Sequence, residues 1–159
     1  MTCSVPSPGE PVAWARRRFA CLALFGLLVP VLAGAATLAE PEASAVRKVV
    51  EAQLEAFAAD DAERAFSYAS TGIRSQFGDA ATFMAMVRGG YPMVVRPAAV
   101  SFLQAQTIPD TGGAVSQPVH LRDSAGRFWK ATYLLERQAG DGWRISACVV
   151  VPESAKTLT

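Results

Sequence analysis

From Arg127 to Val151 the chain reads RFWKATYLLERQAGDGWRISACVVV, and apolar and polar positions alternate along it with a period of two. The odd set Trp129, Ala131, Tyr133 and Leu135 is apolar, while the even set Lys130, Thr132, Leu134 and Glu136 is mixed. Successive side chains of a strand point to opposite faces, so the pattern predicts one face laid on a core. Beyond Gly140-Asp141-Gly142, where glycine supplies positive φ without steric cost, the odd set resumes as Trp143, Ile145, Ala147, Val149 and Val151. Arg144, Ser146, Cys148 and Val150 make up the other set. Two long strands joined by a tight turn are expected, with Trp129, Tyr133, Ile145 and Val149 pointing the same way. A lone ribbon is marginal in water, so this hairpin requires further strands and a cover of helices.

Upstream the period changes to that of a helix. Val46, Val49, Val50, Leu54 and Phe57 form an i, i+3, i+4 stripe, with Arg47, Lys48, Glu51 and Glu55 off it, after a Glu40-Pro41-Glu42 start. Asp60 followed by Glu63 reads as a capping-box start for a second, short helix carrying Phe66. Asp79 is placed to cap a third, with Phe83, Met86 and Val87 on its packing side and Gly89-Gly90 at its end. The prolines make residues 91–97 an extended crossing. Val100 to Gln106 and Ala114 to Arg122 are the remaining strands, with Pro118 marking an edge or a bulge. Helices first and strands afterwards predict an α+β fold: N-terminal helices packed on a curved four-stranded antiparallel sheet, one domain over residues 37–159.

Residues 1–36 read as a signal peptide. A polar stretch ends in Arg16-Arg17-Arg18, and Phe19 to Ala36 follows without a charge. Arg16-Arg17-Arg18-Phe19 also fits a twin-arginine signal. The run approaches the ~20 apolar residues of a membrane anchor, but Pro30 and the small residues Ala33 to Ala36 favour cleavage. The expected destination is therefore the periplasm or the exterior, with no stable membrane insertion once the leader is gone. Cleavage removes Cys3 and Cys21 and leaves Cys148 as the one thiol, which forbids an intramolecular disulfide. Beyond the leader, basic and acidic residues nearly balance, so nothing in the charge points to nucleic acid.

Candidate chemistry is sparse. His120 is the single histidine and shares the parity of Ser116, Pro118 and Arg122, towards solvent. One histidine and one mature cysteine give no metal-ligand spacing and no nucleophile–base pair, and there is no glycine-rich phosphate loop; no metal or cofactor is expected. Arg88, Tyr91 and Arg96, around Gly89-Gly90, make a candidate anion contact. Salt bridges to helix carboxylates are the competing reading for the same arginines.

The helix VRKVVEAQLEAFAADDAERAFSYAS, the run FGDAATFMAMVRGGYPMVVRP and the ending WRISACVVV resemble a bacterial family known as domain of unknown function 4864, over about Val46 to Val151. That resemblance implies a nuclear transport factor 2-like fold, the group of ketosteroid isomerase and the SnoaL-type polyketide cyclases. In it a curved antiparallel sheet is wrapped by helices into a cone with an apolar cavity. It supplies no catalytic residues. The leading expectation is a non-catalytic module that binds an apolar or amphipathic small molecule among Phe66, Phe83, Trp129, Tyr133 and Trp143, with Arg88 or Arg96 at the rim and Tyr91 beside them. One alternative is a homodimerising scaffold that uses the sheet face of Thr132, Leu134, Ser146, Cys148 and Val150. Another is a ketosteroid-isomerase-like or cyclase-like enzyme, for which the inward strand positions offer Tyr133 but no carboxylate base.

Overall fold

The computed structural model describes residues 37–153; the expected signal peptide, residues 1–36, lies outside the described residues. Helix α1, Glu42–Ala58, follows the apolar stripe, and Val46, Val50, Leu54 and Phe57 are buried along it together with Gln53. It ends in a Schellman motif: Asp61 N bonds Ala56 O, Asp60 N bonds Phe57 O, and Asp60 takes the left-handed conformation at φ 61°. Asp60 therefore does not cap the next helix as expected. The cap of α2, Ala62–Ser67, is its neighbour Asp61, whose carboxylate accepts from Arg64 N at 3.0 Å. Helix α3, Thr71–Phe77, starts at Ser70, and α4, Ala80–Gly90, starts at Asp79 as its spacing predicts. Residues 91–97 correct the expectation of an extended crossing, because Pro92–Val95 form a short helix, α5. Pro92 stands at the first helical position and Pro97 beyond the last turn, the two places where proline costs a helix nothing.

The sheet is antiparallel and has five strands, one more than expected: β1 Ala99–Phe102, β2 Gln106–Thr107, β3 Val115–Arg122, β4 Phe128–Gln138 and β5 Gly142–Glu153. Their order is β1-β3-β4-β5, with β2 also on β3. The expected single strand from Val100 to Gln106 divides into β1 and β2 where it passes Pro118. Proline has no N–H to offer there, and the buried Gln117 amide donates instead, to Leu103 O at 2.7 Å and to Pro118 O at 2.9 Å.

The largest correction is to the parity of the last strand. Leu134 faces Ala147 and Leu135 faces Ile145, so Ser146 is an extra residue in a β-bulge, and its hydroxyl donates to Leu134 O at 3.3 Å. Before the bulge Trp143 and Ile145 lie on the core face, as expected. After it the phase inverts: Cys148 pairs with Tyr133 and Val150 with Ala131 on the core face, while Val149 and Val151 turn outward and are 58% and 46% exposed. The helices cover the core face, where Val115, Val119, Leu121, Ala131, Leu135 and Ile145 meet Val46, Val50 and Phe57.

The turn between β3 and β4 is organised by Asp123. Its carboxylate accepts from Ala125 N, Arg127 N, Arg127 Nε and Trp129 Nε1, all within 3.0 Å. The Trp129 indole N–H, followed by the Arg127 backbone and guanidinium, lowers the Asp123 pKa to about 2 against the opposing effect of desolvation.

Candidate functional site

A cleft of about 320 Å³ lies where the helices meet β4 and β5 past the bulge. Helix α1 contributes Gln53 and Phe57, and α3 contributes Ile73, Gln76 and Phe77. Phe83, Met86 and Val87 come from α4, with Tyr91 and Val94 following. The sheet supplies Tyr133 and residues 145–148, which include the bulge. Phe83 sits at the centre of an aromatic cluster, its ring 5.3 Å from Phe66, 5.6 Å from Phe77 and 6.1 Å from Phe57. Among the described residues no acidic, basic or imidazole side chain lines the cleft.

Its polar groups are few and mostly engaged. Gln53 Nε2 donates to Ala65 O at 3.1 Å, which ties α1 to α2, and Ser146 is held by Leu134 O. Tyr133 differs: it is 1% exposed, and its hydroxyl is buried without a hydrogen-bond partner. Cys148, opposite it in register, is a free cysteine. The thiol is near enough to bias the phenol but does not satisfy its hydroxyl, sulfur being a weak hydrogen-bonding group. Burial, and then Cys148, hold the Tyr133 phenol well above its usual pKa, and burial pushes the Cys148 thiol up to about 12 against the favourable influence of Tyr133. Both groups stay protonated at neutral pH.

A larger groove, about 490 Å³, runs beside α1 between Leu38 and Phe102, and Glu40, Arg47, Lys48 and Glu51 make its lining strongly charged. Arg47 bonds Glu51 at 2.8 Å and lies 4.8 Å over the Phe102 ring. The apolar cleft is therefore the stronger candidate for a site.

The residues singled out from sequence distribute as follows. Phe83, Tyr91 and Tyr133 line the cleft, and Phe66 backs it through Phe83. Trp129 is drawn to the Asp123 turn, and Trp143 is buried elsewhere with Arg137 4.7 Å over its ring. Arg88 pairs with Asp60, and Arg96 donates to Ala58 O at 3.2 Å, so both fasten the end of α1. His120 lies on the outer face, 3.4 Å from Glu153. Sequence reasoning missed Gln53, Ile73, Gln76, Met86 and Cys148 as lining residues. Gln53 carried a signal, because it stands three residues after Val50 and four before Phe57, a polar side chain inside the apolar stripe. Among the described residues no group of three or more histidine, cysteine or carboxylate side chains is arranged to hold a metal, and no helix is long and apolar enough to cross a membrane.

The family described as a domain of unknown function (DUF4864) matches the chain over residues 39–158. No curated protein matches it.

Proposed function

Because the chain belongs to the DUF4864 family, whose description assigns no activity, we propose its function from the cleft itself: a non-catalytic module that binds a small apolar or amphipathic molecule. The observation that carries this reading is a cleft of about 320 Å³ walled by Phe57, Phe77, Phe83, Met86 and Val87 without an ionisable carboxylate, imidazole or cation. Proton abstraction requires a base within hydrogen-bond reach of the substrate, and the lining offers none, which favours binding over isomerase-like or cyclase-like chemistry. The helices gathered on one face of an antiparallel sheet are compatible with a nuclear transport factor 2-like cone. The arginine-led uncharged run at the N-terminus supports export to the periplasm or beyond.

Titration of the purified protein with the neutral apolar dye Nile red tests the reading. Saturable fluorescence enhancement is expected, displaced by diphenylmethane and removed by Ile73→Trp, which fills the cleft. Enhancement that persists unchanged in a folded Ile73→Trp variant would place the dye elsewhere and refute the assignment.

A second reading, self-association, is favoured by the outer sheet face. Phe128, Val149 and Val151 are 47%, 58% and 46% exposed there, beside Thr132 and Leu134. This face replaces the one expected from sequence, since Cys148 and Val150 belong to the core side. Sedimentation of the wild type and Val149→Lys decides it: a dimer dissociated by the lysine supports the reading, and a wild-type monomer at high concentration excludes it.

A further inference from the structure

We propose that the cleft selects uncharged guests carrying a hydrogen-bond acceptor, a ketone, ester or ether oxygen, and that the Tyr133 hydroxyl is the donor that recognises it. The inference rests on the cleft being a binding site, and it adds the chemical class of the guest.

The argument begins with an unsatisfied group. A buried hydroxyl without a partner has lost its water and gained nothing in return, and native structures rarely tolerate one without a reason. Tyr133 is in that position while lining a cleft whose helical side is mostly apolar, with Phe57, Ile73, Phe77, Phe83, Met86 and Val87 on it. The other deep polar groups are engaged: the Gln53 amide by Ala65 O, the Ser146 hydroxyl by Leu134 O. The one group acting on the phenol is the Cys148 thiol, a weak acceptor that does not complete a hydrogen bond of normal geometry with it. An acceptor arriving in the cleft therefore meets one strong donor whose rival partner is only a weakly accepting thiol.

The charge of the guest follows from the walls. A buried anion or cation requires a counter-charge, and the lining has none, so a carboxylate or ammonium group would lose its hydration without compensation. The donor stays a donor across the physiological range, because burial disfavours the phenolate. The bulge at Ser146 contributes as well. By shifting the phase of β5 it sets the polarizable Cys148 sulfur opposite Tyr133, where a regular strand would have placed Ala147. A cleft of about 320 Å³ suits a guest the size of one or two rings.

Benzophenone and diphenylmethane, a ketone and its hydrocarbon counterpart, provide the test on the purified protein by displacement of Nile red. The wild type is expected to bind the ketone about tenfold more tightly than the hydrocarbon. Tyr133→Phe should bind both equally, at the wild-type affinity for diphenylmethane, and should melt no lower than the wild type without a guest, since an unpartnered hydroxyl has gone. The carbonyl stretch of benzophenone bound to the wild type should shift to lower frequency, a reading that does not depend on any variant folding. Equal affinities for the two probes in the wild type, or a ketone preference retained in Tyr133→Phe, or an unshifted carbonyl, overturns the donor role while leaving the cleft as an apolar site. Failure of both probes to bind overturns the cleft assignment and this inference together.

Discussion

Tyr133 and Cys148 face each other across the β4–β5 ladder, on the core side, two residues beyond the bulge at Ser146. The phenol completes no hydrogen bond of normal geometry and has only the weakly accepting thiol beside it, and the thiol is held protonated by its burial. Were the strand regular, Val149 would occupy that face and the thiol would look outward. The one inserted residue therefore changes what the floor of the cleft is made of.

The buried thiol should be chemically quiet. With its pKa at about 12 instead of 9.0, Cys148 has about a thousandfold less thiolate at pH 8 than in the unfolded chain. Iodoacetamide labelling followed by mass spectrometry should be more than about 100-fold slower in the native protein than in urea. The same shift makes stability complete below pH 9 and steadily weaker as the pH climbs towards 12, because the unfolded state gives up the proton first. Labelling at similar rates in both states would contradict the burial described above.

Phe83 should be the most sensitive residue of the helical layer. It is 5% exposed and touches three other rings. Phe83→Ala is expected to cost about 3–5 kcal/mol in urea denaturation, with the loss arising from both transfer and the space left behind. A cost below ~1 kcal/mol would mean that the cluster collapses around the gap.

Asp123 predicts an acid limb of the stability curve. Its depressed pKa makes the turn fully stabilising above about pH 4, and that contribution fades as the pH falls towards 2. Asp123→Asn should melt lower than the wild type at pH 7, and the difference should narrow at pH 2.5. A gap that stays constant between those two conditions would assign the effect to packing of the turn and not to the carboxylate.

Arg88, prominent in the sequence as a possible anion contact, should matter little. Its partner Asp60 and the guanidinium are both about half exposed, and exposed pairs of this kind contribute roughly 0–1 kcal/mol. Arg88→Ala should melt within a few degrees of the wild type and bind Nile red unchanged; a loss of dye binding would bring the rim back into the site.

Much of the fold was legible because its signals are periodic. The stripe from Val46 to Phe57 is buried as its spacing requires, Asp79 caps α4, and the odd residues of β4 from Ala131 to Leu135 face the core. The bulge was hidden for a specific reason. Between Ala147 and Val151 both parities are apolar, so the sequence reads equally well in either phase, and only the pairing of Leu135 with Ile145 decides. The division of β1 from β2 depends on a proline in the opposite strand, a tertiary effect that local pattern does not carry. The cleft was half legible. Phe83 and Tyr133 stood out as large side chains on packing faces and Tyr91 as part of an anion contact, but Ile73, Gln76 and Met86 converge only once α3 and α4 are placed. Trp129 was misassigned because its indole N–H is claimed by Asp123 six residues earlier, across a tight turn.

The connector between α2 and α3 meets the sheet margin at one residue: Ile145 N bonds Tyr68 O, and Ser70 N bonds Ile145 O. β5 is the last strand in the order, the position from which a sheet recruits foreign chains into growing aggregates. Those two main-chain bonds blunt that margin where it passes the cleft, so any stray strand seeking to extend the sheet has to start further along, among the outward valines.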